Sequence, residues 1–141
     1  MHKRRIKRIL EITPDFRDID LMGFVHNTVY FLWFERGRLQ ILDDVIPLEE
    51  AVRMNVAVVV VENRCEYLNP VTRGDRLVLI TTHEVSDEYG GALSFTHDLI
   101  NSKTKVRHAH AVCKCSIVDP QTRRLIRNPD PDMLEKYRNL K

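Results

Sequence analysis

The chain has 141 residues, of which 43% are hydrophobic and 30% are charged, and its formal net charge is +2. This length and composition are typical of a soluble globular protein, so we expect one domain over residues 1–141. No stretch approaches the roughly 18 apolar residues of a transmembrane helix, and the first residues lack the apolar run of a signal peptide. The sequence therefore predicts a cytoplasmic protein without a membrane span.

The basic character of the chain is confined to its N-terminus. Removing five N-terminal charges from the total of +2 leaves −3 for residues 9–141, and those five charges belong to Lys3, Arg4, Arg5, Lys7 and Arg8. No DNA- or RNA-binding motif accompanies them, and no aromatic residues are interleaved with them. We therefore expect a solvated lead-in to a first strand and no nucleic-acid partner.

The first half of the chain predicts a strand followed by a long helix. Residues 4–17 alternate loosely between polar and apolar side chains, which indicates an edge or bent strand that ends near Pro14. A helix is predicted from Asn27 to Asp43, with its cap at His26 or Asn27. Apolar spacings of three and four residues define one buried face, formed by Tyr30, Trp33, Phe34, Gly37 and Ile41. Gly37 inside this helix indicates a close approach to a sheet.

The second half of the chain predicts a sheet. Residues 56–61 read Val-Ala-Val-Val-Val-Val, which predicts a strand buried on both faces that continues to Tyr67. Three further runs predict an antiparallel meander over residues 76–87, 91–101 and 104–118, with turns at 88–91 and 101–104. A short helix is expected at residues 132–138. The implied class is α+β, with a long helix wrapped by about five antiparallel strands, and the exposed end strand favours pairing with a second copy.

Small apolar residues on the last strand make room for the helix. Alternate positions share one face, formed by Ala109, Ala111, Cys113, Cys115 and Ile117. The three cysteines form no C-x-x-C motif, so we expect reduced thiols that serve as small core residues.

Chemistry is expected just before the long helix. Two carboxylates, Asp18 and Asp20, and a turn residue, Gly23, precede the helix start. A carboxylate beside the unpaired amides of a helix N-terminus is well placed to attack a carbonyl that those amides polarise. Spacing alone nevertheless favours Asp20 as an ordinary turn or helix-entry acid.

One segment of the sequence resembles the hotdog-fold acyl-CoA thioesterases of the 4-hydroxybenzoyl-CoA thioesterase-like family. The resemblance lies in the pattern Asp18-x-Asp20-x-x-Gly23-x-Val25-x-Asn27-x-x-Tyr30-x-x-Trp33-Phe34-Glu35-x-x-Arg38. It continues in a turn that follows the first long strand in that family, Tyr67-x-x-Pro70-x-x-x-Gly74-Asp75.

The resemblance implies a hotdog fold, a homodimer or homotetramer, and hydrolysis of an acyl-CoA or acyl-carrier-protein thioester without a metal or bound cofactor. It assigns Asp20 as the catalytic carboxylate and the amide of Asn27 as the donor that polarises the thioester carbonyl. Active sites in this family usually draw on both subunits. Asn27 stands where some members carry a supporting His or Tyr, and His26 lies one place earlier.

Five further residues are expected to contact substrate. Gly23 is expected to turn the chain with positive φ and to leave space for the thioester, and Arg64 is a candidate for the phosphates of CoA. The others are Val25, His26 and Tyr30, although His26 is equally compatible with an ordinary polar residue and Tyr30 is more typical of the core. Asp18 is expected to hold the loop through backbone amides.

The sequence is also compatible with other chemistries. His108 and His110 share a predicted strand, but two histidines without a third ligand are a weak metal signal, so no metal is assigned. A non-hydrolytic acyl-CoA-binding module is the alternative function. A hotdog hydratase or dehydratase is a further alternative, which would need His26 and an acid partner.

Overall fold

A computed structural model describes residues 3–86, 89 and 91–141. Its one antiparallel sheet has the strand order β1-β3-β4-β5-β2. The elements are β1 (Arg4–Ile12), a single 3₁₀ turn (Phe16–Asp18), α1 (Val29–Val45), α2 (Leu48–Met54), β2 (Ala57–Tyr67), β3 (Leu77–Val85), β4 (Leu93–Asn101), β5 (Arg107–Val118) and α3 (Pro131–Arg138). The predicted α+β class, with one long helix packed on five antiparallel strands, is confirmed.

The core lies between α1 and the sheet. The predicted helix face is confirmed, because all of its members are buried: Tyr30, Trp33, Phe34, Gly37 and Ile41. The small residues of β5 are buried opposite them. A Cβ added to Gly37 would overlap the hydroxyl of Thr81 and would lie 2.8 Å from Leu79 Cδ2. Only glycine therefore lets the helix approach the sheet this closely.

The start and end of α1 differ from the prediction. The helix begins at Val29 and ends at Val45, two residues later at each end than expected. Thr28, not His26 or Asn27, is the N-cap, and the amide of His26 donates to the carbonyl of Asp18 at 2.8 Å. The connection after α1 also contains a helix that was not predicted, α2, whose C-cap Asn55 has the left-handed conformation (φ 53°).

The prediction that residues 56–61 are buried on both faces was wrong. β2 is an edge strand, and Val59, Val60 and Val61 are 36%, 43% and 59% exposed. The predicted meander is confirmed, because β3 pairs with β4 and β4 pairs with β5, both antiparallel; β2 then pairs with β5 and β1 with β3. A run of valines predicts a strand, but it does not show whether that strand has neighbouring strands on both sides or on one side only.

The ends of the chain agree with expectation. β1 is an edge strand, and α3 covers the predicted C-terminal helix. The hydroxyl of Tyr137 on α3 lies 3.0 Å from Nε2 of buried His83, which ties this helix to the sheet. The predicted turn at residues 88–91 includes Glu88 and Gly90, which lie outside the described residues. No helix in the described ranges is both long and apolar enough to span a membrane.

Candidate active site

The loop before α1 folds back onto the helix start. Ile19 and Val25 form an antiparallel bridge, and the amide of Asp20 donates to the carbonyl of Phe24 at 2.8 Å. Gly23 closes the turn with a φ of +84°, the left-handed conformation that the sequence predicted for it. The main chain thus holds Asp20 in a narrow loop whose other arm leads directly into α1.

Asp20 is oriented by its own loop. Its Oδ1 accepts hydrogen bonds from the amides of Met22 at 2.8 Å and Phe24 at 3.1 Å. Its Oδ2 accepts none from any residue that the structure describes. One carboxylate oxygen therefore stabilises the turn, as expected of an ordinary turn acid. The other oxygen is available for chemistry.

Asp18 has the structural role that the sequence predicted. Its Oδ2 accepts the amide of Asp15 at 2.8 Å, which completes a capping box around the 3₁₀ turn. Its carbonyl also holds His26, as described above. Asp18 thus supports the loop from both its side chain and its main chain.

Several amides at the start of α1 have no hydrogen-bond acceptor. Within the described ranges, the amides of Asn27, Thr28 and Tyr30 donate to nothing, while the amide of Val29 donates to the carbonyl of His26 at 3.1 Å. Phe31 donates to the carbonyl of Thr28 at 3.3 Å. Free amides at the positive end of a helix favour a developing negative charge. The start of α1 can therefore stabilise an oxyanion.

Tyr67 contacts this helix start from the end of β2. Its hydroxyl donates to the carbonyl of Asn27 at 2.9 Å, and its ring packs edge-on against Tyr30 with centroids 5.0 Å apart. Partial burial, and secondarily the neighbouring Cys65, raise the pKa of Tyr67 to about 12, so its hydroxyl is a neutral donor at physiological pH. No role was predicted for Tyr67 from the sequence, although it is the first residue of the second motif of the resemblance.

The two motifs of the sequence meet in space. The amide of Val25 donates to the carbonyl of Val71 at 2.8 Å, and Phe24 forms a bridge with Thr72. The carboxylate of Asp75 then accepts the Thr72 amide at 2.9 Å. The turn after β2 therefore supports the loop that carries Asp20.

The structure brings together some of the predicted substrate-binding residues. Gly23 and His26 lie on the open side of the loop: a Cβ at Gly23 would meet nothing within 4 Å, and His26 is exposed. Val25 and Tyr30 lie beneath them in the core. Arg64 lies apart from these residues. It follows Glu62 and precedes Cys65 on β2, and because Cys65 faces inward, Arg64 points away from α1. On that outer face it forms an ion pair with Glu62 at 2.9 Å.

The two histidines considered as a metal pair have separate partners. Nδ1 of His108 lies 3.1 Å from the carbonyl of Asn69, whereas Nδ1 of His110 lies 2.8 Å from the carboxylate of Asp98. In the part of the chain that the structure describes, no three His, Cys, Asp or Glu side chains gather as metal ligands.

The candidate site is open in the single chain. Five grooves formed by the described residues are lined by side chains other than Asp20, His26 and Asn27. Leu21 and Met22, which follow Asp20, are exposed. The loop and helix start thus present their carboxylate and amides at a surface that carries apolar side chains.

Comparisons with known proteins agree with this fold. The family model of the Thioesterase-like superfamily matches residues 14–136. No curated protein matches the sequence at a significant level.

Solved structures with the same fold include a DHNA-CoA thioesterase from Staphylococcus aureus, with a TM-score of 0.80, 18% identity and coverage of 94% of this chain and 89% of that one. A 1,4-dihydroxy-2-naphthoyl-CoA thioesterase from Synechocystis gives a TM-score of 0.78 and 14% identity, with 95% and 97% covered. A probable thioesterase from Escherichia coli gives 0.74 and 17% identity, also with 95% and 97% covered. The family match spans most of the chain and the fold agrees along its length: this chain is a hotdog-fold member of the thioesterase-like superfamily.

Proposed function

We propose that the protein hydrolyses the thioester of an acyl-CoA or acyl-carrier-protein substrate, with Asp20 as the catalytic carboxylate and the Asn27 amide as an oxyanion donor. One observation carries the proposal. Asp20 keeps one carboxylate oxygen free in a loop that leads directly into a helix start whose amides are also free. A nucleophile or base and an electrophilic donor therefore occupy the same short segment of chain.

The arrangement suits both routes of thioester hydrolysis. In one route a carboxylate oxygen of Asp20 attacks the carbonyl carbon, the C–S bond breaks, the thiolate leaves, and water hydrolyses the resulting anhydride. In the other, Asp20 takes a proton from a water molecule that attacks the same carbon. Both routes pass through an oxyanion, and one well-placed donor contributes about 2.7 to 4 kcal/mol to its stabilisation.

The helix start also favours the negative charge that develops on the substrate. A negative charge close to a helix N-terminus is stabilised by about 0.3 to 1 kcal/mol. The thiolate is already a fair leaving group, so a strong general acid is unnecessary.

The names of the Staphylococcus and Synechocystis proteins support a CoA thioester as the substrate class. In the single chain Arg64 points away from the helix. Its role as a ligand of the CoA phosphates therefore stays a prediction.

A second copy of the chain is the proposed partner that completes the site, as a homodimer or homotetramer. The two sheet edges differ in a way that favours one of them for pairing. β1 carries four cations, Arg4, Arg5, Lys7 and Arg8, and charge protects a sheet edge from pairing. β2 presents partly exposed valines instead. Pairing through β2 would cover these valines and extend the sheet.

The oligomer can be tested at this edge. We expect the native chain to sediment at a multiple of its 16.6 kDa mass, and Val61→Lys on β2 to shift it towards the monomer by placing a charge in the interface. Ile9→Lys is the matched control, since Ile9 is an exposed apolar residue on the opposite edge strand. A monomeric wild type, or equal effects of the two variants, would contradict pairing through β2.

Thiol release from a panel of acyl-CoA, aryl-CoA and acyl-carrier-protein thioesters tests the function directly. Turnover of at least one member is expected, because the segment holds the groups that hydrolysis requires. Tight binding in calorimetry without thiol release would instead support a binding module. A hydratase would need a histidine with an acid partner, and His26 bonds to no side chain within the described residues.

A further inference from the structure

The peptide between Asn27 and Thr28 is held by a side chain from outside the helix. The carbonyl of Asn27 lies one residue before the N-cap, Thr28, so no amide of α1 is expected to bond to it. The amide of Phe31 donates to the carbonyl of Thr28 at 3.3 Å. The carbonyl of Asn27 accepts the hydroxyl of Tyr67 at 2.9 Å, so a residue at the end of β2 supplies a restraint that the helix itself does not.

This bond determines the direction of one amide. The peptide is trans, as are all described peptide bonds, so its C=O and N–H point in opposite directions. Holding the carbonyl of Asn27 against Tyr67 therefore aims the Thr28 N–H away from the Tyr67 hydroxyl. The preceding peptide is held in a similar way, because the carbonyl of His26 accepts the amide of Val29. Two free amides, those of Asn27 and Thr28, are thus fixed in successive peptides.

We propose that Tyr67 is a positioning residue for oxyanion stabilisation, and that it holds the Thr28 amide as a second oxyanion donor beside that of Asn27. The proposal rests on the thioesterase function proposed above and adds a group to its site. Tyr67 suits this role because its ring is packed against Tyr30 and its position is set by the pairing of Tyr67 with Ala109.

Tyr67→Phe is the primary test, because it keeps the ring and removes only the hydroxyl. We expect kcat to fall by at least about tenfold with KM within about twofold of wild type, since the lost restraint acts on the transition state. Tyr137→Phe is the matched control: it removes a hydroxyl bond of 3.0 Å near the C-terminal half of α1 and should leave kcat unchanged. Equal losses in both variants, or a loss confined to KM, would overturn the proposal.

Thr28→Pro tests the amide itself. The φ of Thr28 is −72°, which suits proline, and its N–H donates to no described residue, so the substitution removes the donor. Proline at this position also disfavours the turn in which the Val29 amide bonds to the carbonyl of His26, so the amide spectrum of the variant must show that this turn is retained. We expect kcat to fall by at least about tenfold, and the double variant with Tyr67→Phe to be no worse than Thr28→Pro alone. Effects that multiply in the double variant would show that Tyr67 does not act through this amide.

A titration separates this inference from the function. The probe is an acetyl-CoA analogue in which a methylene group replaces the sulfur, so the carbonyl remains but cannot be cleaved. In ¹⁵N-labelled wild type we expect the Thr28 amide resonance to move on binding, and to move less in Tyr67→Phe. A panel without turnover rejects the function alone. A Thr28 amide that does not respond to the probe, or no binding of the probe, rejects the inference.

Discussion

Asp20→Asn is expected to lower kcat/KM for the best thioester of the panel by at least about 10²-fold, the scale of acid–base and nucleophilic contributions. The amide side chain can still accept the Met22 and Phe24 amides through its oxygen, so the turn should be retained. The second position becomes an NH₂ group, which can neither attack a carbonyl nor accept a proton from water. Steady-state assays measure this loss, and circular dichroism spectra equal to those of the wild type show that the variant is folded.

The matched control is Asp18→Asn, two residues away in the same loop. It makes the same change in charge, but Asp18 supports the 3₁₀ turn and lies outside the proposed chemistry. We expect this variant to keep kcat within about threefold while thermal stability falls slightly, on the scale of a lost cap. Near-wild-type activity in Asp20→Asn would remove the carboxylate from the mechanism, and the ordinary turn reading would then account for the residue fully.

His97 is expected to make the fold sensitive to acid. It is completely buried, its Nδ1 lies 2.9 Å from the hydroxyl of Thr81, and its ring stacks on Phe34. Burial, and secondarily the cation of Arg38, lower its pKa from 6.5 to about 3. Between these values the unfolded chain binds a proton that the folded chain does not. The stability is therefore intact above pH 6.5 and is lost as pH falls towards 3, by about 3 kcal/mol at pH 4.

Urea unfolding at several pH values checks this expectation. His97→Gln removes the titrating group, so its free energy of unfolding should fall less steeply between pH 6.5 and 4 than that of wild type, by about 1.4 kcal/mol per pH unit. His83 is also buried with a lowered pKa and contributes in the same direction in both proteins. His26→Gln, at an exposed position, is the control. Parallel profiles for wild type and His97→Gln would contradict the assignment.

Short sequence patterns predicted the long helix and most strands, because these elements depend on residues that are close together in the chain. The face of α1 follows from the spacing of its apolar residues, and the turn at Gly23 follows from a conformation that glycine adopts easily. The boundaries of α1 were less predictable, because the helix begins without a side-chain cap, after a loop that folds back through the hydrogen bond between His26 and Asp18. The position of β2 at the edge was not predictable at all, since valines favour a strand in either position.

Part of the candidate site could likewise be predicted from the sequence, and part could not. The residue pattern singled out Asp20 and the helix start, because a carboxylate, a turn glycine and a helix follow one another directly in the chain. The contact of Tyr67 with Asn27 joins residues 40 positions apart and depends on how β2 lies beside α1. The same holds for Arg64, whose direction follows from the pairing register of β2 with β5.

The sequence by itself thus determined the α+β class, the long helix with its buried face, and the acidic loop that precedes it, because periodicity and turn chemistry act over a few residues. Only the tertiary structure decided which sheet edge stays open, which side chain holds the first peptide of the helix, and which carboxylate oxygen of Asp20 remains free. Those features depend on strand order and on hydrogen bonds between distant segments, for which no short-range pattern exists.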